Sequence, residues 1–219
     1  MPKIKIKLDE VRVLDESNEL SDSDEPYFII FVADRSKAQL GFNIPNAKTT
    51  AHSWNDADEG ELLKTTTRDE VPAAMQPMWE ATFGFSEYCW GPNGKAIDVK
   101  DADDLVILIG AMERDDGSAK QARSVVNGLM SGSLANMIGA DLTRSEMVTR
   151  LKKDMDGALQ AARMGGAPDF DDRVGGVHEL RLTDADLAKA ATQRVRRNVT
   201  INGGDSEGAY RLGFDLVPA

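Results

Sequence analysis

Three runs of carboxylates are the residues of this chain best suited to do chemistry. The first, Asp15-Glu16-Ser17-Asn18-Glu19-Leu20-Ser21-Asp22-Ser23-Asp24-Glu25, leads through Pro26 into the apolar stretch Tyr27 to Val32. The second, Glu113-Arg114-Asp115-Asp116, comes soon after the apolar run Leu105 to Ile109, and the third, Asp169-Phe170-Asp171-Asp172, lies well downstream. Carboxylates crowded onto loops repel one another, and a hard cation relieves that repulsion. Ca²⁺ takes about six to eight oxygen ligands from carboxylates, carbonyls and water. A single acidic run ordinarily does no more than solvate a loop, and that reading stands beside the cation-binding one. Hard oxygen donors with neither His nor Cys nearby do not make a typical zinc or copper site.

Other chemistries find less support. His52 and His178 are the only histidines, far apart and without a recognisable catalytic partner. The single cysteine, Cys89, sits between Tyr88 and Trp90 and reads as a small semi-buried filler; alone, it excludes an intramolecular disulfide and a Cys-rich zinc site. There is no Gly-x-Ser-x-Gly, P-loop or Rossmann fingerprint. The acidic residues fall on loop tips rather than across a cleft, so no catalytic residue is assigned and the chain is not expected to be an enzyme. A formal net charge of −11 argues against general nucleic-acid affinity and a constitutive grip on anionic membranes, and suits a cation ligand. The start, Met1-Pro2-Lys3-Ile4-Lys5-Ile6-Lys7, lacks the apolar segment of a signal peptide. No stretch approaches the ~20 apolar residues of a membrane span. The expectation is a soluble protein, cytoplasmic or exported by a non-classical route.

The elements that must position these carboxylates read mostly as strands. Ile4, Ile6 and Leu8 alternate with Lys3, Lys5 and Lys7; Val11 and Val13 continue in the opposite parity, which predicts a bulge at Asp9-Glu10. Further strands are predicted over 27–33, 37–45, 62–67, 78–85, 105–109 and 176–182, with a loop over 46–60 and another over 86–104. In 78–85, Trp79, Phe83 and Phe85 share one parity and are read as core. Residues 117–167 change period. Apolar residues at 122, 125, 126, 129, 130, 134, 137 and 138 follow helical spacing from an N-cap at Ser118 to a stop at Gly139. Thr143-Arg144-Ser145-Glu146 is a capping-box pattern opening a second helix that ends at Gly165-Gly166. A short helix is expected at 183–193. A terminal hairpin follows, from Asn198 to Ile201 and Tyr210 to Val217, around Gly203-Gly204. Roughly eight short strands separated by turn signals argue an antiparallel β-sandwich.

Several motifs then fall in order. Val13-Leu14-Asp15 precedes Ser23-Asp24-Glu25-Pro26-Tyr27-Phe28. Thr65-Thr66-Thr67 precedes Gln76-Pro77-Met78-Trp79-Glu80-Ala81-Thr82-Phe83. Glu113-Arg114-Asp115 ends one strand, and Asp171-Asp172-Arg173-Val174-Gly175 opens another. In these features, over about residues 3–116 and 168–217, the chain resembles the C2 domain family. Glu25 is an extra residue, and Glu113 stands where an Asp would be expected. The resemblance implies a mostly β, eight-stranded antiparallel C2-like sandwich. It is one domain spanning residues 1–219, with the helical hairpin of 117–167 inserted in the third calcium loop. It implies Ca²⁺ ligands at Asp15, Asp24, Glu113, Asp115 and Asp172, with Asp22, Glu25, Asp116 and Asp171 as second choices, and calcium-dependent binding to phospholipid or a protein. It also implies that Asp115 and Asp172 lie close together.

Two other functions fit the same sequence. One is a structural subunit whose hairpin mediates oligomer contacts; the other is a membrane-active effector whose hairpin inserts into lipid. Five of the nine methionines (Met130, Met137, Met147, Met155, Met164) lie in the hairpin, and methionine suits both adaptable surfaces and cores. Gly128-x-x-x-Gly132 would permit a close helix contact. Arg194, Arg196 and Arg197 read as a solvated strand or helix end.

Overall fold

The computed structural model describes residues 3–17, 25–35, 47–55, 57–90, 97–113, 118–137, 140–163, 172–204 and 207–219. Strands β1 (Lys3–Ser17), β4 (Leu62–Lys64), β5 (Ile97–Asp98), β8 (Val195–Asn202) and β9 (Glu207–Pro218) form one antiparallel sheet. Its order is β4-β1-β9-β8, with the two-residue β5 beside β1. Strands β2 (Pro26–Asp34), β3 (Ala47–Ser53), β6 (Leu105–Glu113) and β7 (Asp172–Glu179) form the other, in the order β3-β2-β6-β7. The mostly β antiparallel sandwich expected from the sequence is the fold observed.

Alternation explains how the layers meet. Ile4, Ile6, Leu8, Val11 and Val13 of β1 and Tyr210, Leu212, Phe214 and Leu216 of β9 bury one face of the first sheet. They pack against Phe28, Ile30 and Val32 of β2 and Leu105, Ile107, Ile109 and Ala111 of β6. The change of parity in β1 is the expected bulge, since the pairing with β9 slips between Leu8 and Glu10. Every residue of β2 and β6 is buried, because a third layer covers their other face. Tyr27, Ile29, Phe31, Val106, Leu108 and Met112 pack beneath helices α2 (Ala119–Met137) and α3 (Arg144–Arg163).

The hairpin thus leaves the end of β6, lies along the sheet and returns to the start of β7. Its apolar stripe, including Val126, Met130, Leu151 and Met155, is already buried against the sheet. The capping box forms as read: Glu146 Oε2 accepts from the Thr143 N–H at 2.9 Å, and the Glu146 N–H donates to Thr143 Oγ1 at 3.3 Å. The glycine spacing in α2 makes no helix contact, since a Cβ at Gly128 or Gly132 would meet open space. The tight approach is elsewhere: a Cβ at Gly110 of β6 would collide with the Leu159 side chain of α3.

Other expectations are corrected. Residues 78–85 are not a strand: Gln76–Thr82 form helix α1. Trp79 and Phe83 share a parity, but they are also four apart, which is helical spacing. Their rings meet at 4.9 Å. Pro77 sits in the first turn, where its missing N–H costs nothing. Gly84, at φ 72°, ends the helix in the left-handed region that glycine reaches without strain. None of the α1 residues is buried, Phe83 beyond it is exposed and Phe85 is half-buried, so Trp79, Phe83 and Phe85 are not core. The polar stretch read as a loop from 46 contains β3, and its Thr50 and His52 are buried. The strand expected over 37–45 lies outside the described residues. The strand expected over 62–67 stops at Lys64, beyond which Thr66 O accepts from the N–H of Ser86. Helix α4 (Asp184–Ala190) is shorter than expected but keeps Asp184 and Asp186 in its first turn, with Thr183 as N-cap.

Candidate functional site

The ends of β1, β2, β6 and β7 that carry the acidic runs converge on one end of the sandwich. Pro26 pairs with Glu113, and Glu113 pairs with Asp172, so three adjacent strands bring these residues into one row. The short segment from Trp54 to Gly60 ties this end to β1, since the Trp54 N–H donates to Pro26 O and the Gly60 N–H to Val13 O.

Register fixes which way the carboxylates lie. Ala111 and Val174 pair and both belong to the intersheet core. Two residues further on, Glu113 and Asp172 pair on the same parity, at the mouth between the sheets. Between them, Met112 and Arg173 take the opposite parity; Met112 packs under the hairpin, and Arg173 Nη1 bonds Asp156 Oδ1 of α3 at 2.5 Å. The start of β7 is set by a bulge. Ile109 pairs with His178 but Ala111 with Val174, so extra residues on β7 are accommodated around Gly175. Gly175 has φ 63°, and a Cβ there would come within 2.7 Å of Asn202 O, so only glycine serves.

Of the five implied ligands, the structure brings Glu113 and Asp172 together. Glu113 is 3% exposed, Asp172 is half-buried, and both also interact with other groups of the chain. Asp15 reaches the same end but pairs with Ala209 after a second slip in β1. That gives it the parity of Arg211 and Asp215, outside the sandwich, and it is exposed. Asp24 and Asp115 lie outside the described residues, as do Asp22, Asp116 and Asp171, so the expected approach of Asp115 to Asp172 does too. Among the described residues no three Asp, Glu, His or Cys side chains gather closely enough to hold a metal. The donor chemistry nevertheless fits Ca²⁺: a pair of hard carboxylates on rigid strand ends, flanked in sequence by further carboxylates.

The most concentrated charge lies elsewhere, on the outer face of the five-stranded sheet. Arg196 Nε donates to Asp215 Oδ1 at 2.6 Å, and its other nitrogens reach Asp9 at 2.5 Å and Glu10 at 2.7 Å. Arg194 bridges Asp9 at 3.0 Å and Asp215 at 2.5 Å, and Lys7 pairs with Asp9 at 3.0 Å and with Glu70. Asp215 is fully buried beneath these cations. Burial raises the Asp9 carboxyl, but the hydrogen bond and charge of Lys7 and the two arginines hold it below its ordinary value. Arg197 grips Asp186, the capping residue of α4. The three arginines are therefore bound into ion pairs. The signal in the sequence was alternation: Arg196 and Asp215 sit directly opposite each other on the terminal hairpin.

A second cluster surrounds Asp69 at the rim of a cleft of about 770 Å³. Burial raises its carboxyl, yet hydrogen bonds from Thr67 Oγ1 at 2.8 Å, Lys5 Nζ at 3.0 Å and Tyr88 OH at 2.9 Å hold it at about 2. Cys89, fully buried rather than semi-buried, has its Sγ 3.8 Å from His52 Nε2. Burial pushes the thiol up to about 11 and the imidazole down to about 4. Both are neutral at pH 7, the reverse of an activated thiolate–imidazolium pair.

No protein-family model matches the chain, and no curated protein matches its sequence. Among solved structures it is similar to a C2 domain of plant Extended Synaptotagmin 1, with a TM-score of 0.40 and 8% identity over 99% of this chain and 92% of that one. A likeness that remote carries no function across. No helix among the described residues is long and apolar enough to cross a membrane.

Proposed function

We propose that this chain is a C2-like module that binds Ca²⁺ at one end of its sandwich and uses the filled site to engage phospholipid or a protein partner. The observation that supports the reading is the row formed by Pro26, Glu113 and Asp172 on three neighbouring strands. Like charges directly opposite each other on a sheet oppose folding. A shared divalent cation turns that repulsion into attraction. In this reading Asp24, Glu113, Asp115 and Asp172 are the protein's ligands, Asp15 adds its charge at the same end from the outer face, and backbone carbonyls or water complete the shell. Five carboxylates bring about −5 to one tip. One or two Ca²⁺ would cancel most of it, so that a tip repelled by an anionic surface becomes neutral or attracted, an electrostatic switch.

The test is thermal melting of chelator-treated protein. A ligand bound only by the folded state at about a hundred times its Kd adds about 2.7 kcal/mol. For a chain of this size that is about 5–10 °C in Tm. A melting curve unmoved by millimolar Ca²⁺ would sink the reading. If Tm rises, sedimentation with phosphatidylserine vesicles, with and without Ca²⁺, separates a lipid target from a protein one.

A further inference from the structure

Helix α1 and the strand edge beside it form the one large apolar surface, among the described residues, that the fold leaves uncovered. Phe83 is 71% exposed and Met78 58%, and Met75 is exposed next to them. Single exposed apolar residues are ordinary, but a contiguous group of Met and aromatic side chains marks a binding surface. The patch opens on a groove of about 410 Å³ between α1 and the segment that follows β4, lined by Lys64, Thr66, Val71, Pro72, Met75 and Trp79.

Two features say what fits there. The first is an open sheet edge. The Thr65 N–H donates to Asp9 O and the Val13 N–H to Glu61 O, so residues 61, 63 and 65 direct their backbone groups at β1. Leu62 and Lys64, opposite Arg12 and Glu10 of β1, direct theirs away, and among the described residues no strand lies on that side of β4. The second is the apolar face beside it, where Met75, Met78 and Phe83 are exposed and carry no charge. The charges that line the groove are already matched, Lys64 to Glu10 and Glu70 to Lys7. Nothing there selects a charged ligand, and the net charge of −11 opposes an anionic surface.

We propose that this groove binds an extended, uncharged peptide segment of a partner protein. Its backbone adds to the edge at Leu62–Lys64, and alternate apolar side chains pack on Met75, Met78 and Phe83. The site is independent of the calcium-binding end.

The probe is a phage-displayed library of random twelve-residue peptides selected on the intact protein, with the leading peptide then synthesised. The result expected is a sequence with apolar residues at alternate positions. Its binding should weaken about tenfold or more in Phe83→Ser and Met78→Ser, exposed positions where folding is kept. N-methylation of the peptide at alternate residues should abolish binding in one register and spare it in the other. The proposal is overturned if no such sequence is enriched, if the substitutions leave binding unchanged, or if both N-methyl registers bind alike. It is equally overturned if the same substitutions abolish binding to phosphatidylcholine vesicles, meaning a lipid occupant, or dissociate a dimer in sedimentation equilibrium, meaning a second copy.

Discussion

Glu113 and Asp172 stand directly opposite each other at the open ends of β6 and β7, on the side that faces the other sheet. The hairpin of α2 and α3 connects these two strands without disturbing the pairing, because it folds back over the sheet. Inserting a long segment between two fixed strand ends costs little closure entropy. Each acidic run therefore keeps its own strand end.

The hairpin should be indispensable to solubility. Deleting residues 118–163 would uncover Tyr27, Ile29, Phe31, Val106, Leu108 and Met112, which it buries. A patch of that size is an aggregation liability. The expected outcome is a protein recovered as aggregate on size exclusion. Recovery as a well-melting monomer would show that the helices are ornamental. At single sites, Leu151→Ala should cost about 2–5 kcal/mol in urea unfolding.

Glycines at two places should respond in opposite ways to alanine. Gly110→Ala places a methyl against Leu159, itself buried and unable to yield freely, and should cost about 1–3 kcal/mol. Gly128→Ala and Gly132→Ala add a methyl in open space on a helix. Each should stabilise by about 0.5–1 kcal/mol. Denaturant midpoints of the three variants check the contrast.

Asp215 should be the most sensitive charge. Asp215→Ala leaves Arg194 and Arg196 facing a buried gap. The cost of breaking a fully buried pair is about 3–5 kcal/mol. Because both arginines keep some contact with water, about 2–3 kcal/mol is expected by urea denaturation. Glu80→Ala, which breaks a pair with Arg68 in which both side chains are well exposed, should cost no more than about 1 kcal/mol.

Asp69 should lend stability that depends on pH. Its folded pKa, about 2, lies below the unfolded value near 3.9. The unfolded chain then binds the proton first on acidification. The contribution is complete above the unfolded pKa and is lost as pH falls from about 4 towards 2. The side chain is half exposed, so its size is within about 1 kcal/mol. The stability difference between the native chain and Asp69→Asn, followed by urea midpoint from pH 7 to pH 2, should shrink over that window.

The sequence made the strands legible where alternation was clean. The parity switch at Val11 predicted the β1 bulge, and the unbroken apolar run at Leu105 predicted a strand, which the structure buries on both faces. It misled at Trp79 and Phe83, where one spacing satisfies two periods and only burial decides. Of the Asp9–Arg196–Asp215 network it offered only the alternation on the terminal hairpin, because Asp9 comes from a strand far away in sequence and looks like a separate solvated residue until register brings it to Arg196. For the candidate site, the acidic runs pointed to the ends of β6 and β7 that pair through Glu113 and Asp172. They could not give the second slip in β1 that puts Asp15 on the outer parity, since a bulge of one residue leaves no mark in a loop already rich in polar groups.

Calorimetric titration of Ca²⁺ into chelator-treated protein is the measurement that bears most directly on the proposed site. The expected result is saturable binding, with a Kd between about 10⁻⁷ and 10⁻³ M. Asp172→Asn and Asp115→Asn should each weaken it about tenfold or more, and Asp103→Asn, at the opposite end of the sandwich, should leave it unchanged. No saturable heat in the native chain, or isotherms that ignore Asp172 and Asp115, would contradict calcium binding at this end.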